Sequence, residues 1–210
     1  MLADQEMTTT ELWEKLHDDR RHQLRYPSEH VVRWLASLGS YGTTTALDIG
    51  CGSGRHLRVL TDFGCVPVGV DTSMELMGKT PGIYHGDMCD LPFDDARFDL
   101  ALSYGVFYYG TRKQHLQAVR EMHRVLKPGG HGLVVTRTFF DSRRQTGEYV
   151  DKHTRRMTDG DEQGMLINFL RAGDIQKDYG VFSDVSFELS ETTRDERRWR
   201  DSDWVIRVQK

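Results

Sequence analysis

Cysteine and proline are scarce in this chain, and long apolar runs are missing. The three cysteines, Cys51, Cys65 and Cys89, are odd in number and show no Cys-x-x-Cys spacing. A disulfide framework and a thiolate zinc site are therefore not expected, and a reduced, cytoplasmic setting is. The longest apolar stretches are strand-sized, well short of the ~20 residues that cross a bilayer, so no membrane partner is expected. The opening residues, Met1 to Glu11, are polar and acidic, unlike a secretion signal. An excess of base is missing too. Lys and Arg number 28 against 32 Asp and Glu, a net charge of -4. A general nucleic-acid binder would lean the other way.

What the sequence does have is length, glycine and alternation. Its 210 residues, 38% of them hydrophobic, suit a single domain with its own core. Apolar residues at helical spacing, with Ser28 as a cap, predict a helix over 29–38 that closes at Gly39 and Gly42. Strand and helix signals then alternate. Strands are expected at 46–49, 66–70, 83–85, 98–102 and 132–138. Helices are expected at 55–63, from Ser73 to Met77, at 112–126 and near 162–176. Runs at 185–189 and 204–208 have no helix between them and should pair antiparallel. The predicted fold is α/β: a Rossmann-like doubly wound sheet, mostly parallel, with an antiparallel C-terminal hairpin and helices on both faces. Residues 1–42 read as an N-terminal helical cap and 43–138 as the core. Residues 139–160, polar and arginine-rich, read as an insertion over the active site or a mobile loop, and 161–210 as the closing helix and hairpin.

The first strand carries an acid and breaks into alternating glycines: Asp48, Ile49, Gly50, Cys51, Gly52, Ser53, Gly54. Such glycines let backbone N–H groups come close to a ligand. The dinucleotide fingerprint needs two residues before its third glycine, and here that position falls on Arg55 or Leu57. The run instead resembles motif I of the class I S-adenosylmethionine-dependent methyltransferases, in the small bacterial, methyltransferase-11-like form. The likeness extends in order from about Thr45 to Val135. It takes in Asp71 after the second strand, Gly86-Asp87-Met88, Leu91-Pro92-Phe93, and Arg124 to Gly130.

The resemblance implies S-adenosyl-L-methionine as cofactor, S-adenosyl-L-homocysteine as product, and methyl transfer. It places Asp48, Gly50, Cys51, Gly52 and Gly54 around the methionine end, Asp71 with Thr72 at the ribose, and Asp87 with Met88 at the adenine. Ser103 joins them at the end of the fourth strand, and Tyr26 is expected as a lid. Methyl transfer asks for alignment and, at a hydroxyl, for removal of a proton. His115 is the expected base because imidazole titrates near neutrality. Tyr104 should line the acceptor site, and Arg137 should orient an anionic acceptor.

No Asn/Asp-Pro-Pro-aromatic segment follows the fourth strand, where Ser103-Tyr104-Gly105-Val106 stands. No cysteine lies beside a proline there, and no acidic ligand set for a metal can be assembled. The expected acceptor is a small polar metabolite, methylated at oxygen, with an anionic or sugar-like body. An N-methyltransferase acting on an amine or amino sugar is the near alternative. An RNA methyltransferase and a catalytically silent cofactor-binding protein are the alternatives of other classes. Trp13, Trp199 and Trp204 leave both a monomer and a homodimer open.

Overall fold

A computed structural model describes residues 9–17, 24–39, 44–73 and 82–210. Helices α1 (Thr9–His17) and α2 (Glu29–Leu38) precede the sheet. Ser28 caps α2 as expected, its hydroxyl accepting from the His30 N–H at 3.3 Å. The core then runs β1 (Thr45–Ile49), α3 (Arg55–Asp62), β2 (Val66–Asp71), β3 (Ile83–His85), β4 (Phe98–Tyr104), α4 (Arg112–Val125) and β5 (Leu126–Arg137). An insertion follows: α5 (Arg143–Thr146), β6 (Glu148–Tyr149), β7 (Thr154–Arg156) and β8 (Leu166–Asn168). The chain closes with α6 (Ala172–Asp178), β9 (Asp184–Arg194) and β10 (Trp199–Gln209).

The main sheet has seven strands in the order β3-β2-β1-β4-β5-β10-β9. Strands β1 to β5 pair in parallel, while β10 runs antiparallel to both β5 and β9. This is the Rossmann-like sheet with an antiparallel hairpin that the sequence predicts. Side chains alternate across it and feed two cores. Leu47, Ile49, Ala101, Val134 and Ile206 pack with Ala118, Val119 and Met122 of α4. Ala46, Leu102, Leu133, Val135 and Val205 pack with Val31, Leu35, Leu57 and Leu60 of α2 and α3. Helix α4 starts with a capping box, Thr111 with Gln114.

Three expectations change. The helix foreseen near 162–176 is instead β8 followed by the short α6. The bound drawn at residue 160 moves, because β6, β7 and β8 form a second antiparallel sheet that continues past it. Met157, Met165, Ile167 and Phe169 give that sheet its own apolar cluster, joined by Tyr108 and Tyr109. Trp204 is buried, donating its indole N–H to the Leu170 carbonyl at 2.9 Å, so it is no surface for a partner. The helix expected from Ser73 to Met77 lies outside the described residues apart from Ser73.

Candidate active site

Parallel pairing brings the carboxyl ends of β1, β2, β4 and β5 to one edge, where ligands bind in sheets of this kind. After β1 the chain turns sharply, with the Gly50 and Cys51 N–H groups both reaching the Val70 carbonyl, at 2.8 and 3.1 Å. Gly50 adopts φ +70, and a Cβ there would lie 2.3 Å from a Val106 methyl. The left-handed backbone and the close approach of the loop after β4 both demand glycine. Gly54, also left-handed at φ 78, starts α3 and leaves the first N–H groups of that helix without a side-chain cap.

Asp71 ends β2 and braces this turn. One carboxylate oxygen accepts from the Gly52 N–H and the other from the Ser73 N–H, both at 2.9 Å. Asp48 lies buried beneath the turn, with one oxygen lacking a hydrogen-bond partner and 3.8 Å from His56 Nδ1. Burial drives the two in opposite senses. The Asp48 carboxyl is pushed up to about 7, and the His56 imidazole down to about 3. His56 Nε2 accepts from the Ser28 N–H at 3.3 Å, tying the entry of α2 to the turn.

A cavity of about 550 Å³ opens above the turn. Its floor is Gly50, Cys51, Gly52 and Ser53, and one wall is Tyr104, Gly105 and Val106. The far wall comes from Tyr108, Tyr109, Arg137 and the insertion. Antiparallel register sets Asp203 of β10 opposite Arg137 of β5, and the pair closes at 3.0 Å. Arg143 of α5 bonds Glu162 at 2.7 Å and Asp201 at 2.8 Å, and Tyr109 donates to the other Glu162 oxygen at 2.6 Å. Buried Asp141 joins the two layers, accepting from the Ser202 and Arg143 N–H groups. Arg55 lies with its guanidinium 5.0 Å from the Tyr104 ring centroid.

This geometry is joined by a match with a family model. Residues 47–134 match the model described as a methyltransferase domain. Residues 47–134 therefore carry a methyltransferase domain of the class I, S-adenosylmethionine-dependent kind. A protein of Encephalitozoon cuniculi named as a methyltransferase is 39% identical over 105 residues, 46% of this chain and 48% of that protein. The 2-phytyl-1,4-naphtoquinone methyltransferase of Nostoc punctiforme is 35% identical over 130 residues, 54% of each. The chain thus spans about half the length of these curated relatives. Among solved structures, a methyltransferase of Methanosarcina mazei shares the fold with a TM-score of 0.69 at 20% identity, covering 84% of this chain and 96% of that one.

The cofactor of this family is S-adenosylmethionine, and the residues present fit it. The turn offers backbone N–H groups where a side chain would intrude, and Asp71 holds a carboxylate at the end of β2. Of the methyltransferase residues expected from sequence, Gly50, Cys51, Gly52, Tyr104 and Arg137 line the cavity. Ser103 is fully buried in β4 with its hydroxyl unpartnered. One Asp87 oxygen accepts from the Cys89 N–H at 2.7 Å, and Met88 packs on the core. Thr72 is half-buried just beyond β2.

Two placements overturn the expectation. His115 is fully buried, with Nδ1 3.1 Å from the Phe107 carbonyl and Nε2 facing Asp178, away from the cavity. Burial lowers it to about 4, which suits a structural imidazole and not a base working near neutrality. Tyr26 is 76% exposed and is not part of the cavity wall; neighbouring Leu24 is. Sequence reading did not assign Glu162, Arg143, Asp159, Asp161 or Trp199 to the site, although all five line it. The arginine-rich composition of the insertion was the one signal pointing there.

Proposed function

We propose that this chain transfers a methyl group from S-adenosylmethionine to a small polar molecule, at a nucleophile that arrives already deprotonated. A neutral amine nitrogen fits first. The carrying observation is the chemistry of the acceptor wall. Among the described residues lining the cavity, His56 is the sole imidazole, and its Nε2 is engaged by the Ser28 N–H. Burial raises the Tyr108 and Tyr109 hydroxyls, which disfavours their phenolates. Bound S-adenosylmethionine would supply an activated methyl group. The residues then need only to align the acceptor and exclude water.

The same wall argues against a strongly anionic acceptor. Arg137 is matched by Asp203, Arg143 by Glu162 and Asp201, and Arg194 by Asp201, while Asp159 and Asp161 offset Arg55 at the cavity. An oxygen acceptor is the second reading, and Tyr104 supports it, because its phenol lines the cavity beneath the Arg55 guanidinium.

The test is turnover of matched amine and alcohol acceptors, followed by mass spectrometry with S-adenosylmethionine. The expected result is methylation of amines, with a rate that follows ionisation of the acceptor and survives loss of the Tyr104 hydroxyl. Turnover of alcohols alone, abolished by Tyr104→Phe, would replace this reading with the second. Failure to bind either S-adenosylmethionine or S-adenosylhomocysteine would overturn both.

A further inference from the structure

We propose that Arg144, Arg155 and Arg171 form a phosphate-binding site on the outer face of the insertion, separate from the methyl-transfer cavity. Helix α5 turns Arg143 inward to the cavity, while Arg144 is not among the cavity-lining residues. The Phe139 N–H donates to the Leu170 carbonyl at 3.0 Å, which sets Arg171 beside the Phe139 ring. The guanidiniums of Arg144 and Arg171 lie 4.2 and 4.4 Å from the centroid of that one ring. Both guanidiniums are thereby gathered around one aromatic ring. Arg155 lies 4.9 Å from the exposed Tyr149 ring, and its Nη1 donates to the Asp151 and Thr154 carbonyls at 2.8 and 3.0 Å, leaving Nε and Nη2 for a ligand.

Three features mark this cluster as a receptor and not a solvated face. Among the described residues, none of the three arginines forms an ion pair with a carboxylate, unlike Arg137 and Arg143. The nearby acids are already used. Asp174 accepts from the Arg171 N–H and faces His153, and Asp151 accepts from the His153 and Thr154 N–H groups. Finally, Arg144 Nε is buried without a hydrogen-bond partner. Burial and the charges of Arg155 and Arg171 hold the Arg144 guanidinium below its ordinary value. A bound anion would relieve that repulsion.

The number of donors selects the anion. Guanidiniums present forked N–H pairs, and three of them exceed what the two oxygens of a carboxylate can accept. A phosphate or pyrophosphate group has enough. Exposed Tyr149, stacked on Arg155, offers its other face to a ring attached to that phosphate.

The experiment is calorimetric titration of the full chain at low salt with pyrophosphate, adenosine diphosphate and acetate. Pyrophosphate is expected to bind and acetate not to. Binding should weaken at least tenfold in Arg144→Gln/Arg171→Gln. It should be unchanged in Arg200→Gln and in the presence of saturating S-adenosylhomocysteine. Tighter binding of adenosine diphosphate than pyrophosphate would assign the site to a nucleotide, and equal binding to a bare phosphate group. Circular dichroism checks the fold of the double variant. If that variant does not fold, the exposed single change Arg171→Gln carries the test, with a loss of at least threefold expected. Pyrophosphate binding that persists undiminished in the variants, or is displaced by S-adenosylhomocysteine, would overturn the proposal.

Discussion

Gly50→Ala is the most exacting probe of the cofactor turn, because two separate costs can be worked out for it. The new methyl would lie 2.3 and 2.7 Å from the two Val106 methyls, where real carbon atoms do not sit. Relieving such overpacking costs about 1–3 kcal/mol. The φ of +70 adds a second cost, about 1–2 kcal/mol for an L-residue held in the left-handed region. Together the loss should be about 2–5 kcal/mol, a large share of the ~5–15 kcal/mol that holds a domain folded. Urea denaturation reads the stability, and calorimetric titration with S-adenosylhomocysteine reads the turn. The two costs separate largely in the double variant Gly50→Ala/Val106→Ala, which removes both clashing methyls but leaves the Val106 Cβ at 3.0 Å and the backbone strain. A coupling energy of about 1 kcal/mol or more is expected between the sites. A Gly50→Ala protein within about 0.5 kcal/mol of the parent, or additive effects in the double variant, would refute the reasoning.

Further outcomes follow from the buried ionisable groups. His56 and His115, lowered to about 3 and about 4 by burial, favour the neutral form in the fold. The unfolded chain takes up their protons first, so this part of the stability is complete above about pH 6.5. It is lost as pH falls toward 4 and then 3, and acid denaturation monitored by fluorescence should shift to lower pH in His115→Gln. That variant should keep the parent's pH dependence of kcat; abolished turnover in a protein with unchanged melting and S-adenosylhomocysteine binding would return His115 to the chemistry. Asp48 has the opposite sign. Its carboxyl is raised to about 7, so its contribution is complete below about pH 3.9 and fades as pH rises toward 7. Asp48→Asn, free of cofactor, should gain stability over the parent at pH 8, on the order of a few kcal/mol, and little at pH 4. Asp71→Asn weakens two backbone hydrogen bonds to a charged acceptor, each worth about 1.5–3 kcal/mol. S-adenosylhomocysteine affinity should fall tenfold or more, and an unchanged dissociation constant would remove Asp71 from the cofactor site.

Apart from three-residue β3, the parallel core was legible because its strands are long enough to show their pattern. Runs of four or five mostly apolar residues ending on Gly50, Asp71 or Ser103-Tyr104 mark both a strand and the edge where ligands gather. The insertion was opaque for the converse reason. Strands β6, β7 and β8 have two or three residues each, too few for alternation to register. Leu166 and Ile167 were therefore absorbed into an apparent helix. His115 misled through its chemistry. Its position after a capped helix start says that it lies near the end of β4, but not which face of α4 it occupies. Packing against Phe107 and Tyr179 decided that. The arginines misled in the other direction, because a composition count cannot show that Asp201 and Asp203, some sixty residues later, lie across a strand from the ones at the cavity.

That cross-strand pairing has a consequence for how such a protein changes its taste in acceptors. The polarity of the wall is a balance struck between two strands, each free to mutate alone. Replacing Asp203 by asparagine would leave the Arg137 guanidinium facing the cavity with its principal counter-charge gone, while the sheet that carries it stayed the same. One nucleotide change would then shift the wall toward positive charge and toward anionic acceptors. The charge at the cavity is thus set in part from the hairpin behind it, and it can drift without disturbing the glycine turn after β1.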